Sequence, residues 1–221
     1  NQMSSRAAAA EELLVDIFEK EVGGVIRKLE KEKKITYRDI QLYVMAKHAI
    51  ERNQVKRQKE IEKLSNPTSG DIARIMQQDF SSELDIQYGI EKHLKGSKNP
   101  VFSNVDGIRS YIEAIENSAG KDIDALWSSI NKLNGEALKM WYEAGMISKD
   151  HYNNIKKLYK YYVPLQGIDD ETIEDVWTYY GVSNRGNYSL VKDAEGRNKL
   201  PDNPFMIMRK SISNTAYMAE H

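Results

Sequence analysis

Apolar positions recur at helical spacing along most of this chain, and polar or glycine-proline breaks divide them into segments. Leu13, Leu14, Ile17 and Phe18 form the first stripe, behind Ser4 and Ser5 as candidate caps. Gly23-Gly24 interrupts the stripe, but Val25, Ile26 and Leu29 resume it in phase. One helix is therefore predicted to about Lys33, with a weak point at the glycines, each of which costs ~1 kcal/mol against alanine. Thr36-Tyr37-Arg38-Asp39 has the Ser/Thr-x-x-acid form of a helix start. A second helix follows, with Ile40, Tyr43, Val44, Lys47 and Ile50 on one face. Beyond Glu51 the sequence stays helix-forming but is nearly all polar to Lys63, so it projects into solvent or packs through only Val55, Ile61 and Leu64. Continuous from 37 to 64, this helix would be ~42 Å long, against a radius of gyration of ~17 Å for a compact globule of this length. An elongated molecule is expected.

Ser65-Asn66-Pro67-Thr68-Ser69-Gly70 reads as a loop, followed by short helices around 71–78 and 81–95 and a second break at Gly96-Ser97-Lys98-Asn99-Pro100. Further helices are predicted at about 105–118, 121–145 and 148–161. The second of these aligns Ile123, Leu126, Trp127, Ile130, Leu133, Leu138 and Trp141 on one wide apolar face. Gly145 is placed to end it in the left-handed conformation, Ser148 to cap the next helix, and Pro164 to turn the chain extended after Tyr161-Tyr162-Val163. A helix from about Glu171 to Tyr180 precedes an irregular connection over 181–204, in which Tyr188-Ser189-Leu190-Val191 could pair briefly as a strand. The last helix starts after Asn203, with Pro204 at its first position. The expected fold is an all-α, elongated multi-helix array with long helices, a proline-terminated helical hairpin and one irregular loop near 181–204. Two regions are expected, long and partly extended N-terminal helices over 1–70 and a helical domain over 71–221 with its core around 121–165. A first residue other than Met and a last segment that still reads as helix, Tyr217-Met218-Ala219-Glu220-His221, suggest an excerpt of a longer chain.

Composition narrows the chemistry. The 32 basic and 33 acidic side chains nearly cancel, so no global field draws the 221 residues onto nucleic acid or an anionic surface. Without cysteine there is no disulfide framework, thiolate nucleophile or cysteine-bound zinc. No apolar run approaches the ~20 residues of a membrane helix. The four histidines, His48, His93, His151 and His221, fall on separate elements without a ligand pair at helical spacing, so neither metal nor cofactor is expected. His48, beside Glu51 and Arg52, reads as a helix-surface hydrogen-bonding group; His93, among Glu91, Lys92 and Lys95, reads as solvated. No serine sits in a Gly-x-Ser-x-Gly elbow. The acids Asp169, Asp170, Glu171, Glu174 and Asp175 are better explained as a first helical turn complementing the macrodipole than as a catalytic pair. Gly181-Val182-Ser183-Asn184-Arg185-Gly186 follows a helix and lacks the features of a phosphate-binding loop.

Two basic stretches, Arg27 to Lys34 and Arg52 to Lys63, are interleaved with glutamate and read first as solvated faces, with contact to the DNA backbone as the alternative. Tyr152, Tyr159, Tyr161 and Tyr162 mix with Lys156, Lys157 and Lys160. Such a mixture can stack single-stranded bases, but packing of a helix end against Trp127 or Trp141 accounts for the spacing better. No catalytic, cofactor-binding or metal-binding residue is assigned.

One stretch carries a family signal. Glu143-Ala144-Gly145-Met146-Ile147-Ser148-Lys149-Asp150-His151-Tyr152, followed by Tyr159-Lys160-Tyr161-Tyr162-Val163-Pro164-Leu165, resembles a recurring helical module of large polyvalent proteins. These are very long multidomain chains encoded by phages and phage-derived mobile elements. Ala46-Lys47-His48-Ala49-Ile50-Glu51-Arg52-Asn53 is similar to the segment that precedes that module, and Asn203-Pro204 through His221 is similar to a later one. The resemblance implies a non-catalytic helical segment of a virion cargo or ejection protein, with any enzymatic parts elsewhere in the full chain. It implies localisation in the virion and then in the host cytoplasm after genome ejection. The implied partners are portal, capsid or tail components or other parts of its own long chain, with a homo-oligomer also open. A nucleic-acid-binding module and a connecting region of an enzyme-bearing polyvalent protein are the alternatives.

Overall fold

In the computed structural model, which describes residues 5–78, 81–163 and 203–218, the regular elements are all helical. Helix α1 stacks Ser5–Asp16, a π-helical turn Ile17–Val22 and Gly23–Lys33 without a break. Then follow α2 (Tyr37–Glu62), α3 (Ser69–Met76), α4 (Ser81–Leu94), a 3-10 turn at Pro100–Phe102, α5 (Gly107–Ala119), α6 (Asp122–Glu143), α7 (Lys149–Leu158) and α8 (Pro204–Met218). The all-α expectation holds, with eight helices among the described residues.

The helix ends follow local chemistry. The Thr36 hydroxyl accepts the Asp39 amide at 3.2 Å while the Asp39 carboxylate accepts the Thr36 amide at 2.9 Å, a reciprocal cap that opens α2. Thr68 and Asp71 repeat it at the start of α3. Gly145 sits at φ +73° and ends α6, with its own amide bonded to the Tyr142 carbonyl and the Met146 amide to the Trp141 carbonyl. The Ser148 hydroxyl then accepts the His151 amide and caps α7. In α1 the irregularity falls in the turn before Gly23-Gly24, not at the glycines, and Arg27 Nη2 donates to the Glu19 carbonyl across it at 3.2 Å.

One apolar core joins six helices. It takes Leu14, Ile17 and Leu29 from α1, Leu42 to Ala46 from α2, Ile86 and Ile90 from α4, Tyr111 and Ile115 from α5, Leu126 and Ile130 from α6, and Phe205 and Ile212 from α8. A smaller cluster, Leu138, Trp141 and Ile147 with Tyr142, Met146 and Tyr152 against it, fills the α6–α7 corner. Transfer of such side chains from water contributes about 1.5–3 kcal/mol each to holding the helices together.

The polar second half of α2 departs from expectation. Arg52 and Asn53 are buried, while Leu64 is exposed and Val55 and Ile61 are only half-buried. The reason is that α3 and α4 fold back on this half of α2 and meet it with polar groups. Asn53 Nδ2 donates to Glu83 at 2.9 Å, and Arg57 donates to the Gln78 carbonyl at 2.7 Å and lies 3.8 Å from Glu83. Helix α7 also ends earlier than its pattern suggests, because Tyr159 is already extended (φ −126°, ψ 122°). The expected helix at 171–180, the strand at 188–191, Pro164 and nearly all of the 181–204 connection lie outside the described residues.

Candidate functional site

The most elaborate polar constellation surrounds the five residues after α7. Tyr159–Val163 crosses from α7 to the middle of α2 as a non-helical strap whose backbone is held by side chains of α2 and α6. Both oxygens of Glu51 accept consecutive strap amides, Lys160 and Tyr161, each at 2.8 Å. From α6, Asn131 donates to the Lys160 carbonyl at 3.1 Å and Asn134 to the Tyr162 carbonyl at 3.2 Å. Val163, fully buried, anchors the far end in the core.

The strap's rings are seated as firmly as its backbone. Tyr161 meets Trp127 edge-on at 5.0 Å and takes the Lys47 ammonium over its face at 4.6 Å. Trp127 Nε1 donates to the Tyr43 hydroxyl at 2.9 Å, which in turn bonds Glu116 at 3.0 Å, and Glu116 pairs with Lys47 at 2.7 Å. This network ties α2, α5, α6 and the strap together through groups that satisfy one another. Burial holds the Tyr43 phenol well above its ordinary range.

His48 lies beneath the strap, 2 % exposed, with Tyr159 and Tyr162 edge-on to its ring at 5.4 and 5.2 Å. Its Nδ1 has no hydrogen-bond partner among the described residues. Burial, reinforced by the Arg52 charge, pushes the imidazole down to about 3 against a hydrogen bond it donates to the Tyr161 backbone, which favours the charged form. Burial moves Glu51 the other way, above the usual carboxylate range, although the Tyr161 and Lys160 amides work against it.

A second polar hub stands at the start of α2. Asp39, 1 % exposed, accepts from Thr36 Oγ1 at 2.7 Å and from the Tyr111 hydroxyl at 3.1 Å, and bonds His93 Nε2 at 2.7 Å. It thereby joins α2, α4 and α5. Burial and the Asp39 charge raise the Tyr111 phenol.

These placements correct two readings of the sequence. His48 is enclosed, not a helix-surface group, because the strap covers it; His93 is bonded to a buried carboxylate, not simply solvated. His151 sits in the first turn of α7, and His221, the acids 169–175 and the glycines 181–186 lie outside the described residues. Of the basic stretches, Lys28 pairs with Asp122 at 2.8 Å, and Arg52 and Arg57 face the interior. The tyrosines divide as expected between packing partners: Tyr161 on Trp127, and Tyr152 stacked on Tyr142 at 5.0 Å in the Trp141 cluster. The sequence marks Asp39 only as the acid of a helix start and Glu51 only as a neighbour of His48, and it does not mark Asn131 or Asn134. Their signal was present in part, since Glu51 lies one turn after His48 and Asn131 and Asn134 flank Leu133 in the α6 stripe.

Chemically, the strap junction fastens chain to chain. Its carboxylate is occupied by two amides and its imidazole is neutral and enclosed. Among the described residues no three His, Cys, Asp or Glu side chains converge as a metal site requires, and no helix is long and apolar enough to cross a membrane. An open groove of about 410 Å³ between α1 and α6, lined by Lys20, Glu21, Gly24, Val25, Lys28 and Ser128, lies apart from both polar hubs. No family model, curated protein or solved structure matches the chain.

Proposed function

We propose that this chain is a non-catalytic helical segment of a phage virion cargo or ejection protein, packaged in the particle and delivered with the genome. The observation that carries the reading is that two of the segments behind the family resemblance, 46–53 and 159–163, meet in space and bond to each other. Lys47, His48 and Glu51 are engaged with Tyr159, Lys160, Tyr161 and Tyr162, so the motif residues serve packing. A motif of that kind belongs to architecture that connects parts of a long chain or docks against portal, capsid or tail components.

Engagement of Lys28, Lys47 and Arg57 with acidic partners inside the molecule favours this reading over a nucleic-acid-binding module. A DNA affinity that falls steeply with added salt would reverse that preference. The direct test is mass spectrometry of purified, protease-treated particles from the strain that encodes the chain. Peptides of residues 5–163 are expected in intact particles and are expected to become protease-sensitive once the particles are opened. Their absence from particles overturns the reading.

A further inference from the structure

We infer that the Tyr159–Val163 strap is an acid-released latch, seated while His48 is neutral and lifted when His48 takes up a proton. The geometry points to this in three ways. The strap covers an enclosed imidazole whose Nδ1 has no acceptor among the described residues, so an added proton there has no hydrogen-bond partner. The strap is not helical and side chains of α2 and α6 hold its backbone, so it can lift without unwinding a helix. It also carries both rings that close over His48, Tyr159 and Tyr162.

Among the described residues, the charge that acts on the ring is that of Arg52, and no carboxylate offsets it. On α2, Arg52 repels the added proton, Lys47 is paired with Glu116 of α5, and Glu51 is bound to the two strap amides. The strap presents two phenols and the Tyr161 backbone; the α6 amides Asn131 and Asn134 are taken up by strap carbonyls, and Glu83 of α4 is engaged with Asn53 and Arg57.

The sign follows from linkage. With the strap seated, His48 is held down at about 3; lifted, it returns to its ordinary 6.5. The open form therefore binds more protons between those values, and the seated form loses ground as pH falls below 6.5. The opening equilibrium approaches a tenfold rise per pH unit well below 6.5, and it rises about 30-fold in all from pH 7.5 to 5.

Amide hydrogen exchange on the full chain, corrected for intrinsic rates and run from pH 7.5 to 5, reads this directly at the Lys160 and Tyr161 amides. Protection of those two is expected to fall about 30-fold between pH 7.5 and 5 while amides of α2 and α6 stay protected. His48→Gln is expected to flatten the profile. Glu51→Gln is expected to lower protection at every pH and keep the slope. A flat wild-type profile overturns the latch. So does loss of protection in α2 and α6 together with the strap, or a slope that survives in His48→Gln. Where His48→Gln does not fold, the Glu51→Gln profile decides: a retained slope supports the latch, and a lost one assigns the titration to Glu51 and overturns it.

Discussion

Lys34 shows what a single residue can store. It ends α1 at φ 57°, in the left-handed region where a side chain is strained and glycine is not. The position is fixed from both sides, because the Ile35 amide returns to the Leu29 carbonyl and Asn99 donates to the Lys34 carbonyl. Lys34→Gly is expected to stabilise the fold by about 1 kcal/mol, raising the melting temperature by roughly 2–4 °C for a chain of this size. A calorimetric scan checks it, and an unchanged or lower midpoint would mean the lysine side chain itself holds that turn. His48 is the opposite kind of residue, comfortable in its backbone and costly in its proton. Tyr43 is a third kind, a core phenol whose hydroxyl serves two elements, accepting from Trp127 and bonding Glu116.

Among elements, the α6–α7 corner is set by its turn more than by its apolar content. Gly145 at φ +73° has open space around it, so Gly145→Ala tests backbone strain with no clash to confuse the result. A loss of about 1–2 kcal/mol is expected, read as a lower urea midpoint with an unchanged slope. This turn was legible in the sequence, as were the Thr36 cap, the Ser148 cap and the Asn203-Pro204 start of α8, whose Asn203 Oδ1 accepts the Phe205 amide at 3.0 Å. All of these are local, with cause and effect within four residues. The strap was only half legible: the packing of Tyr161 on Trp127 could be read, but the helix was expected to run on to 161 and the Glu51 clamp gave no sign. Its partners lie 109 and 110 residues away, and a hydrophobic pattern reports apolar burial only. The same blindness hid the burial of Arg52 and Asn53, since polar residues in a polar run give no periodic sign that another polar surface will fold onto them.

At the scale of the molecule, α1 and α8 close against each other and against α6. Ser213 bonds Glu11, and Leu14, Leu133, Met208 and Ile212 line a small void of about 40 Å³ between the three helices. Phe205, 2 % exposed and 5.8 Å from the Tyr37 ring, is the largest fully buried side chain α8 brings to the core. Phe205→Ala is expected to cost about 3–5 kcal/mol, measurable as a shift of the whole unfolding transition. A loss confined to α8, with α1 and α6 amides still protected, would show the last helix to be an appendage. The closure also has a consequence for synthesis. The apolar stripe of α1 leaves the ribosome some 170 residues before its α8 partner; at ~5–20 residues per second, roughly ten to thirty seconds pass before the two can meet. During that interval Leu14 and its neighbours depend on α6, or on a chaperone, for cover, so slowed translation between Lys33 and Pro204 is when nascent chains of this protein are most exposed to aggregation.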